Sequence, residues 1–392
     1  MQSGSLKKIT RRALLAIKLE NDWNIFITGD SEASMKTTCV IMAGGKGERF
    51  WPRSRINLPK QFINISGSKS MIQQTIDRLV AFIPYEQIFI ITNELYAEII
   101  KAQVPSLPTE NIIIEPIGRN TAPCVGLASV LIEEKYPDSS MIVLPSDHII
   151  RNEHEFENLL KTAVEMSEEG DKLITLGVSP TYPETGYGYI ESTDEVIEKN
   201  NFRIFKVKKF TEKPDMDTAS KFLQAGNYYW NSGIFVWRTA VIRECIRKFI
   251  PEMHDLLEAM KAAFVTNDRE AVIKSEFHKM PEVSIDYGIM EQADNIHIIP
   301  CSLGWDDVGS WTALDRINEQ DDNGNVIKGS VLSIDTKKCI IESNGKLIAT
   351  LGIEDLIVVE TEDVILICSK DKSQDIKSLI KELKVQKLEQ YL

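Results

Sequence analysis

Val40-Ile41-Met42-Ala43-Gly44-Gly45-Lys46-Gly47-Glu48-Arg49-Phe50-Trp51-Pro52 is the stretch on which the fold turns. An apolar run over Thr38–Met42, strand-like and buried in character, passes straight into three glycines. Glycines at that point let the backbone come close to a ligand and aim several N–H groups at phosphate oxygens. The spacing is neither G-x-G-x-x-G nor G-x-x-x-x-G-K-[ST], which excludes the dinucleotide fingerprint and the P-loop. Four cations follow closely: Arg49, Arg53, Arg55 and Lys60. The chain as a whole is acidic, with 45 Lys and Arg against 58 Asp and Glu and a net charge of −13. Such a chain is a poor general binder of nucleic acid, so the local positive focus suits a polyphosphate. A flexible turn with solvated basic residues would account for the glycines alone, but not for the cluster at the end of the first strand.

Reading outward, apolar runs recur at Gln87–Thr92, Asn111–Glu115, Met141–Leu144 and Leu173–Gly177. Helix-length stretches lie between them at Ser70–Val80, Pro123–Glu134 and His154–Glu168. The alternation predicts an α/β fold, a twisted and mostly parallel sheet with helices on both faces. Near-continuous apolar strands fit a sheet covered on both sides. Ligands of such sheets sit beyond the carboxyl ends of the strands, so informative residues should follow each strand directly. After about Asp321 short β-rich pieces take over, with turn residues such as Asn344-Gly345 between them. They predict a small C-terminal β-rich domain, read as a few turns of a β-helix. Ile376, Leu379, Ile380 and Leu383 then follow the i, i+3, i+4, i+7 spacing of an amphipathic helix packed on the body.

Hydrophobic residues at 43% and charged residues at 26% exclude a mainly disordered chain. No apolar run reaches the roughly 18 residues a membrane-spanning helix needs. The six cysteines are widely spaced with no CxxC or Cys/His cluster. They read as reduced core residues of a cytoplasmic protein rather than zinc ligands. Residues 1–34, with the basic stretch LKKITRRALLAIK, differ from the rest and read as a leader or N-terminal extension. An amphipathic surface anchor is the sharper alternative there, and the absence of a small-residue cleavage site argues against a signal peptide. The expected organisation is this extension, a catalytic domain over 35–320 and the β-rich domain with its C-terminal helix over 321–392.

GGKGERFWPRSR followed by LPKQF resembles the signature of the sugar-1-phosphate nucleotidylyltransferases, and Trp51 and PKQF are similar to its mannose-1-phosphate guanylyltransferase branch. Three further motifs in chain order, LPSDH, FTEKP and GWDDVG, strengthen the resemblance, which covers roughly residues 36–370. It implies a Rossmann-like nucleotidyltransferase that moves GMP from GTP to α-D-mannose 1-phosphate, giving GDP-mannose and pyrophosphate. It implies Mg²⁺ or another divalent cation as cofactor, and neither nucleic acid nor membrane as partner. A homodimer contact through the β-rich domain and C-terminal helix stays open. A glucose-1-phosphate thymidylyltransferase keeps the chemistry and changes the substrates. A non-catalytic regulatory subunit of the same fold is the alternative from another class, but it should have lost the charged positions present here. A fused phosphosugar isomerase lacks the residues for a further domain.

Nucleotidyl transfer between phosphates calls for a hard cation held by one or two carboxylates and substrate oxygens. Asp147, directly after the fourth predicted strand, and Asp307 of the GWDDVG motif match the family's metal-binding positions; Asp306 is their neighbour. His148 reads as structural. The resemblance gives nucleotide binding to Ala43, Gly44, Gly45, Gly47 and Ser146. To these it adds Arg119, Asn120 and Thr121 of the E-P-I-G-R-N-T-A-P run, where Thr121 also suits a helix N-cap. For the sugar phosphate it implies Gly188, Glu212, Lys213, Asn231 and, more loosely, Asp286. Arg49, Lys60 and Lys213 are the expected catalytic cations, because the nucleophile is an ionised phosphate oxygen and needs no general base.

Overall fold

The computed structural model describes residues 35–392, so residues 1–34, read above as a leader or N-terminal extension, lie outside the described residues. Thr37–Leu392 forms one compact unit. Nine strands make its main sheet: β1 Thr37–Met42, β2 Ile88–Asn93, β3 Ile112–Glu115, β4 Ser140–Pro145, β5 Leu173–Val178, β6 Tyr189–Lys199, β7 Phe202–Thr211, β8 Tyr228–Arg238 and β9 Ile296–Cys301. Their order across the sheet is β3-β2-β1-β4-β8-β5-β9-β7-β6. The alternation legible in the sequence builds the parallel part, β3-β2-β1-β4, within two residues of the expected bounds. β4 and β5 are not neighbours: β8 enters between them, antiparallel to both. The long β6–β7 antiparallel hairpin forms the far edge.

β1 lies on the centre line of the core. Cys39 and Ile41 face one apolar cluster and Val40 the other, the period of two that a strand imposes. The first cluster takes helices Met71–Leu79 and Glu153–Glu168, and the second takes Thr121–Lys135, Thr239–Phe249 and Pro251–Ala262. Local signals set the helix starts. Ser70 and Gln73 form a capping box on the first helix, and Asn152 caps the second with a bond from Glu155 N. After β1 the chain fills one side with β2 and β3, then crosses to the other side of β1 to place β4. The crevice at that reversal is where open α/β sheets hold ligands.

β10 Val326–Lys328, β12 Ile340–Glu342 and β14 Leu356–Glu360 stack in parallel, as do β11 Val331–Ile334 and β13 Ile348–Leu351. These are the rungs of a parallel β-helix, closed by β15 Ile365–Ser369 running antiparallel to β14. The C-terminal helix spans Ile376–Val385 and buries Ile376 and Ile380, while Leu379 is exposed. A third apolar cluster joins these residues and the inner faces of the rungs to Phe50, Trp51 and Trp311. Among the described residues no helix is long and apolar enough to cross a membrane, and all six cysteines are free thiols.

Candidate active site

The glycine loop is pinned on both sides. Ala43 N donates to Ile91 O at 2.8 Å, and Thr92 Oγ1 donates to Ala43 O at 3.0 Å. Gln61, fully covered, donates through one amide to the carbonyls of Ala43 (3.0 Å) and Gly45 (2.9 Å). PKQF is therefore the clip that shapes the loop, a role for Gln61 that the motif alone did not disclose. Gly47 sits at φ 58°, and a β-carbon there would lie 2.5 Å from Lys60 Cβ. Only glycine fits both the angle and the space.

Two distant aspartates are brought together by a short antiparallel bridge. Ile149 and Asp306 exchange backbone hydrogen bonds of 2.9 and 3.0 Å. Asp306 itself is buried against Arg316 (2.6 Å) and the Val308 N–H (2.8 Å), so it anchors the loop rather than facing the cavity. Asp147 and Asp307 line one cavity of about 300 Å³ with Lys46, Gly47, Arg49, Lys60 and His148. Val308 holds φ 48° while fully buried, an unfavourable conformation for a β-branched residue. Such strain persists only where the surroundings enforce it, and Lys60 does so by donating to the carbonyls of Asp307 (2.8 Å) and Val308 (2.9 Å). The third proton of the Lys60 ammonium meets Asp147 Oδ2 at 2.7 Å. All three donors of this buried lysine are thus used within the protein.

Burial, the largest single influence, would push the Asp147 carboxyl up, but the charge and hydrogen bond of Lys60 together with smaller favourable contacts hold the group below the usual range. Asp307 Oδ1 accepts from the Tyr187 hydroxyl at 2.6 Å and from Gly309 N at 3.1 Å. Burial, then the Asp307 charge, pushes the Tyr187 phenol well above its ordinary value, so it stays a donor. Arg49 Nη1 donates to Gly309 O at 3.0 Å. Trp305 Nε1 lies 3.1 Å from His148 Nδ1. An indole N–H only donates, so His148 accepts there and its neutral ring carries the proton at Nε2. Burial lowers its proton affinity in the same sense. Among the described residues no group of three or more His, Cys, Asp and Glu converges on one point. Two carboxylates beside an open cavity fit a hard cation that completes its shell with substrate oxygens and water.

The expected sugar residues form a second cluster. Asn231 N donates to Gly188 O at 2.8 Å, and Asn231 Nδ2 to Asp286 Oδ1 at 2.8 Å. A β-carbon on Gly188 would fall 2.4 Å from Glu212 Oε2, so the glycine leaves room for that carboxylate. Lys213 pairs with Glu212 at 2.6 Å, and its N–H donates to Tyr187 O at 3.2 Å. Burial, then the Glu212 charge, pushes Asp286 up to about 6. Tyr187 touches both clusters, its hydroxyl on Asp307 and its ring against Trp230 and Trp305.

The Arg119–Thr121 loop does not line the cavity of Arg49 and the two aspartates. Asn120, at φ 70°, rather than Thr121 caps the helix that follows. Arg119 Nη2 donates to His278 O at 2.8 Å, and Thr121 Oγ1 accepts from Ile285 N at 2.8 Å. Glu115, at the end of β3 and in register with Asn93, faces the glycine loop instead: a β-carbon on Gly44 would lie 3.1 Å from its Oε2. Burial, with no compensating cation or hydrogen bond, pushes its carboxyl up to about 7. Its signal in the sequence was its place as the first polar residue after an apolar strand.

A family model described as nucleotidyl transferase matches residues 38–324, and one described as MannoseP isomerase/GMP-like beta-helix domain matches residues 329–383. The mannose-1-phosphate guanylyltransferase of Escherichia coli K12 is 39% identical over 362 residues, covering 90% of this chain and 74% of that protein. The alginate biosynthesis protein AlgA of Pseudomonas putida is 39% identical over 347 residues, covering 88% and 71%. A crystal structure from Thermus thermophilus, described as a mannose-1-phosphate geranyltransferase, superimposes with a TM-score of 0.81 at 31% identity and covers 89% of this chain and all of that one.

Proposed function

The chain belongs to the nucleotidyl transferase family, and from that premise we infer that it is an enzyme that transfers GMP from GTP to α-D-mannose 1-phosphate, yielding GDP-mannose and pyrophosphate. The observation that carries the reading is the direct contact of a phosphate-directed cluster with a sugar-directed one. The glycine loop with Arg49 and the two aspartates is joined, through the Tyr187 hydroxyl at 2.6 Å from Asp307, to the Gly188–Glu212–Asn231 cluster.

A phosphate oxygen of the sugar attacks the α-phosphorus; the new P–O bond forms as the bond to the β-bridging oxygen breaks. The nucleophile is already ionised, so no proton need move, and positioning and electrostatics carry the rate. Arg49 faces the β- and γ-phosphates and the charge that grows on the leaving pyrophosphate. Lys213 reaches the sugar phosphate from its pairing with Glu212, while Glu212, Asn231 and the Gly188 backbone meet sugar hydroxyls. Lys60 holds the two aspartate loops in register and presents its charge to the α-phosphate from behind Asp147. Asp147 and Asp307 would hold Mg²⁺, which would supply positive charge to offset that of the substrate phosphates. Ala43, Gly44, Gly45, Gly47 and Ser146 border the nucleotide, and Arg119, Asn120 and Thr121 shape the loop beside it. Glu115, once ionised against the base, suits the N1–H and 2-amino donors of guanine, which a carboxylate accepts as a pair. We place the activity in the cytoplasm, where free thiols persist.

Pyrophosphate release with Mg²⁺, crossing GTP, ATP, dTTP and UTP with mannose, glucose and N-acetylglucosamine 1-phosphates, tests the reading. Release confined to GTP with mannose 1-phosphate is expected. Release with a different pair keeps the mechanism and moves the branch. None from folded protein returns the chain to a regulatory role.

A further inference from the structure

Lys377 lies on the helix that follows the β-helix, 317 residues after Lys60, yet it lines the same cavity as Arg49, Asp147 and Asp307. Its neighbours on the helix explain how it arrives there. Ile376 and Ile380 are buried in the apolar cluster that also holds Phe50 and Trp51, and this docks the helix against the Glu48–Phe50 turn. A hydrogen bond just beyond the helix tightens the join: Trp51 Nε1 donates to Tyr391 O at 2.7 Å. The side chain of Lys377 is exposed and has no ion pair among the described residues. Many other lysines on this surface are paired, including Lys370 with Asp315 at 2.7 Å and Lys338 with Glu354 at 3.2 Å.

The balance of charge in the cavity gives that lysine a task. Lys60 has spent its three donors within the protein. Arg49 has one nitrogen committed to Gly309 O, and besides Lys377 the lining carries one other exposed cation, Lys46. Glu48, Asp147 and Asp307 add negative charge to the same lining. A triphosphate entering there needs further cations at its outer end, and a lysine is a ready point-charge partner for phosphate.

We propose that Lys377 is a substrate-contacting residue which binds the terminal phosphates of the nucleotide and the leaving pyrophosphate, so that the C-terminal helix completes the active site. The proposal rests on the reading above, because it assigns a phosphate within that reaction. It also gives the β-helix a catalytic reason to be attached: the helix it presents carries part of the polyphosphate site.

The test uses the full chain in both directions of the reaction. Lys377→Ala should raise KM for GTP and, in reverse, KM for pyrophosphate by about tenfold, the size of one lost charge-assisted contact. KM for mannose 1-phosphate and for GDP-mannose should stay within about twofold. Lys377→Arg should restore most of the loss, and Lys381→Ala, one turn along the same helix, should change nothing. Equal change in all four constants, or in none, overturns the proposal. Lys377→Gln, which keeps the helix propensity and the stem, separates charge from packing if the alanine variant melts early. Turnover by the wild-type protein judges the reaction separately, so failure of the parent reading and failure of the Lys377 assignment give different results.

Discussion

Glu115 shows how one residue ties stability, pH and specificity together. Its carboxyl, near 4.5 when unfolded, stays protonated in the folded chain up to about 7. The folded state therefore holds the extra proton between those values. The resulting stabilisation is complete below the unfolded value and is lost as pH rises through about 7. Glu115→Gln should flatten that part of the pH–stability curve of the ligand-free protein, by at most on the order of 3 kcal/mol. Asp286, pushed up to about 6, slopes the same way and keeps its share in the variant. Chemical denaturation at several pH values measures this. In catalysis the same substitution should cost GTP roughly 10- to 100-fold in kcat/KM, the worth of one paired base contact. Inosine triphosphate, which lacks the 2-amino group, should lose less. An unchanged GTP-to-ITP ratio would exclude Glu115 as the guanine reader.

At the scale of elements, the loops that matter are held by one another rather than by their own sequences. The loop after β4 and the 303–309 loop share the Ile149–Asp306 bridge and the Lys60 ammonium. The turn before β6 meets the second of these loops through Tyr187. The aromatic contacts Tyr187–Trp230, Tyr187–Trp305 and His148–Trp305 extend that contact toward Asp147, each with ring centroids 5.3 Å apart. Tyr187→Phe keeps the rings and removes the hydroxyl from Asp307. Binding of Mn²⁺ without turnover, followed by electron paramagnetic resonance, should weaken by about 10- to 100-fold, as for other lost hydrogen-bond partners of a metal-ligating group. Mannose 1-phosphate should tighten Mn²⁺ binding in the wild type, with that gain lost in the variant. A variant whose ion binding matches the wild type would confine Tyr187 to packing.

Over the whole molecule, the third apolar cluster decides cooperativity. It contains Phe50 and Trp51 from near the start of the chain, Trp311 and Leu314 from the segment just before the β-helix, and Val326, Ile357 and Ile380 from the end. The β-helix therefore buries its inner face partly against residues that follow the glycine loop. We expect a single unfolding transition for the 37–392 unit. Ile380→Ala should cost about 2–5 kcal/mol, as for other buried truncations, and should lower the midpoint of that one transition, seen alike by tryptophan fluorescence and by far-ultraviolet circular dichroism. Two separated transitions would show that the β-helix folds on its own.

Local pattern sufficed for much of this protein. Apolar runs ending in Gly, Asn, Glu and Asp marked β1 to β4 and the polar edge beyond them, because a strand buried on both faces has no other composition open to it. The C-terminal helix and the short β-rich pieces were legible for the same reason, as was the motif set that marks the family. Tertiary structure alone decided the insertion of β8 between β4 and β5, since antiparallel and parallel strands of similar composition differ only in their partners. It also decided that Leu379 faces solvent, that Lys60 spends its protons inside the protein, and that Asn120 takes the helix cap. The approach of Lys377 to Arg49 belongs with these. No local rule links residues more than 300 positions apart; the burial of Ile376 and Ile380 against Phe50 and Trp51 does.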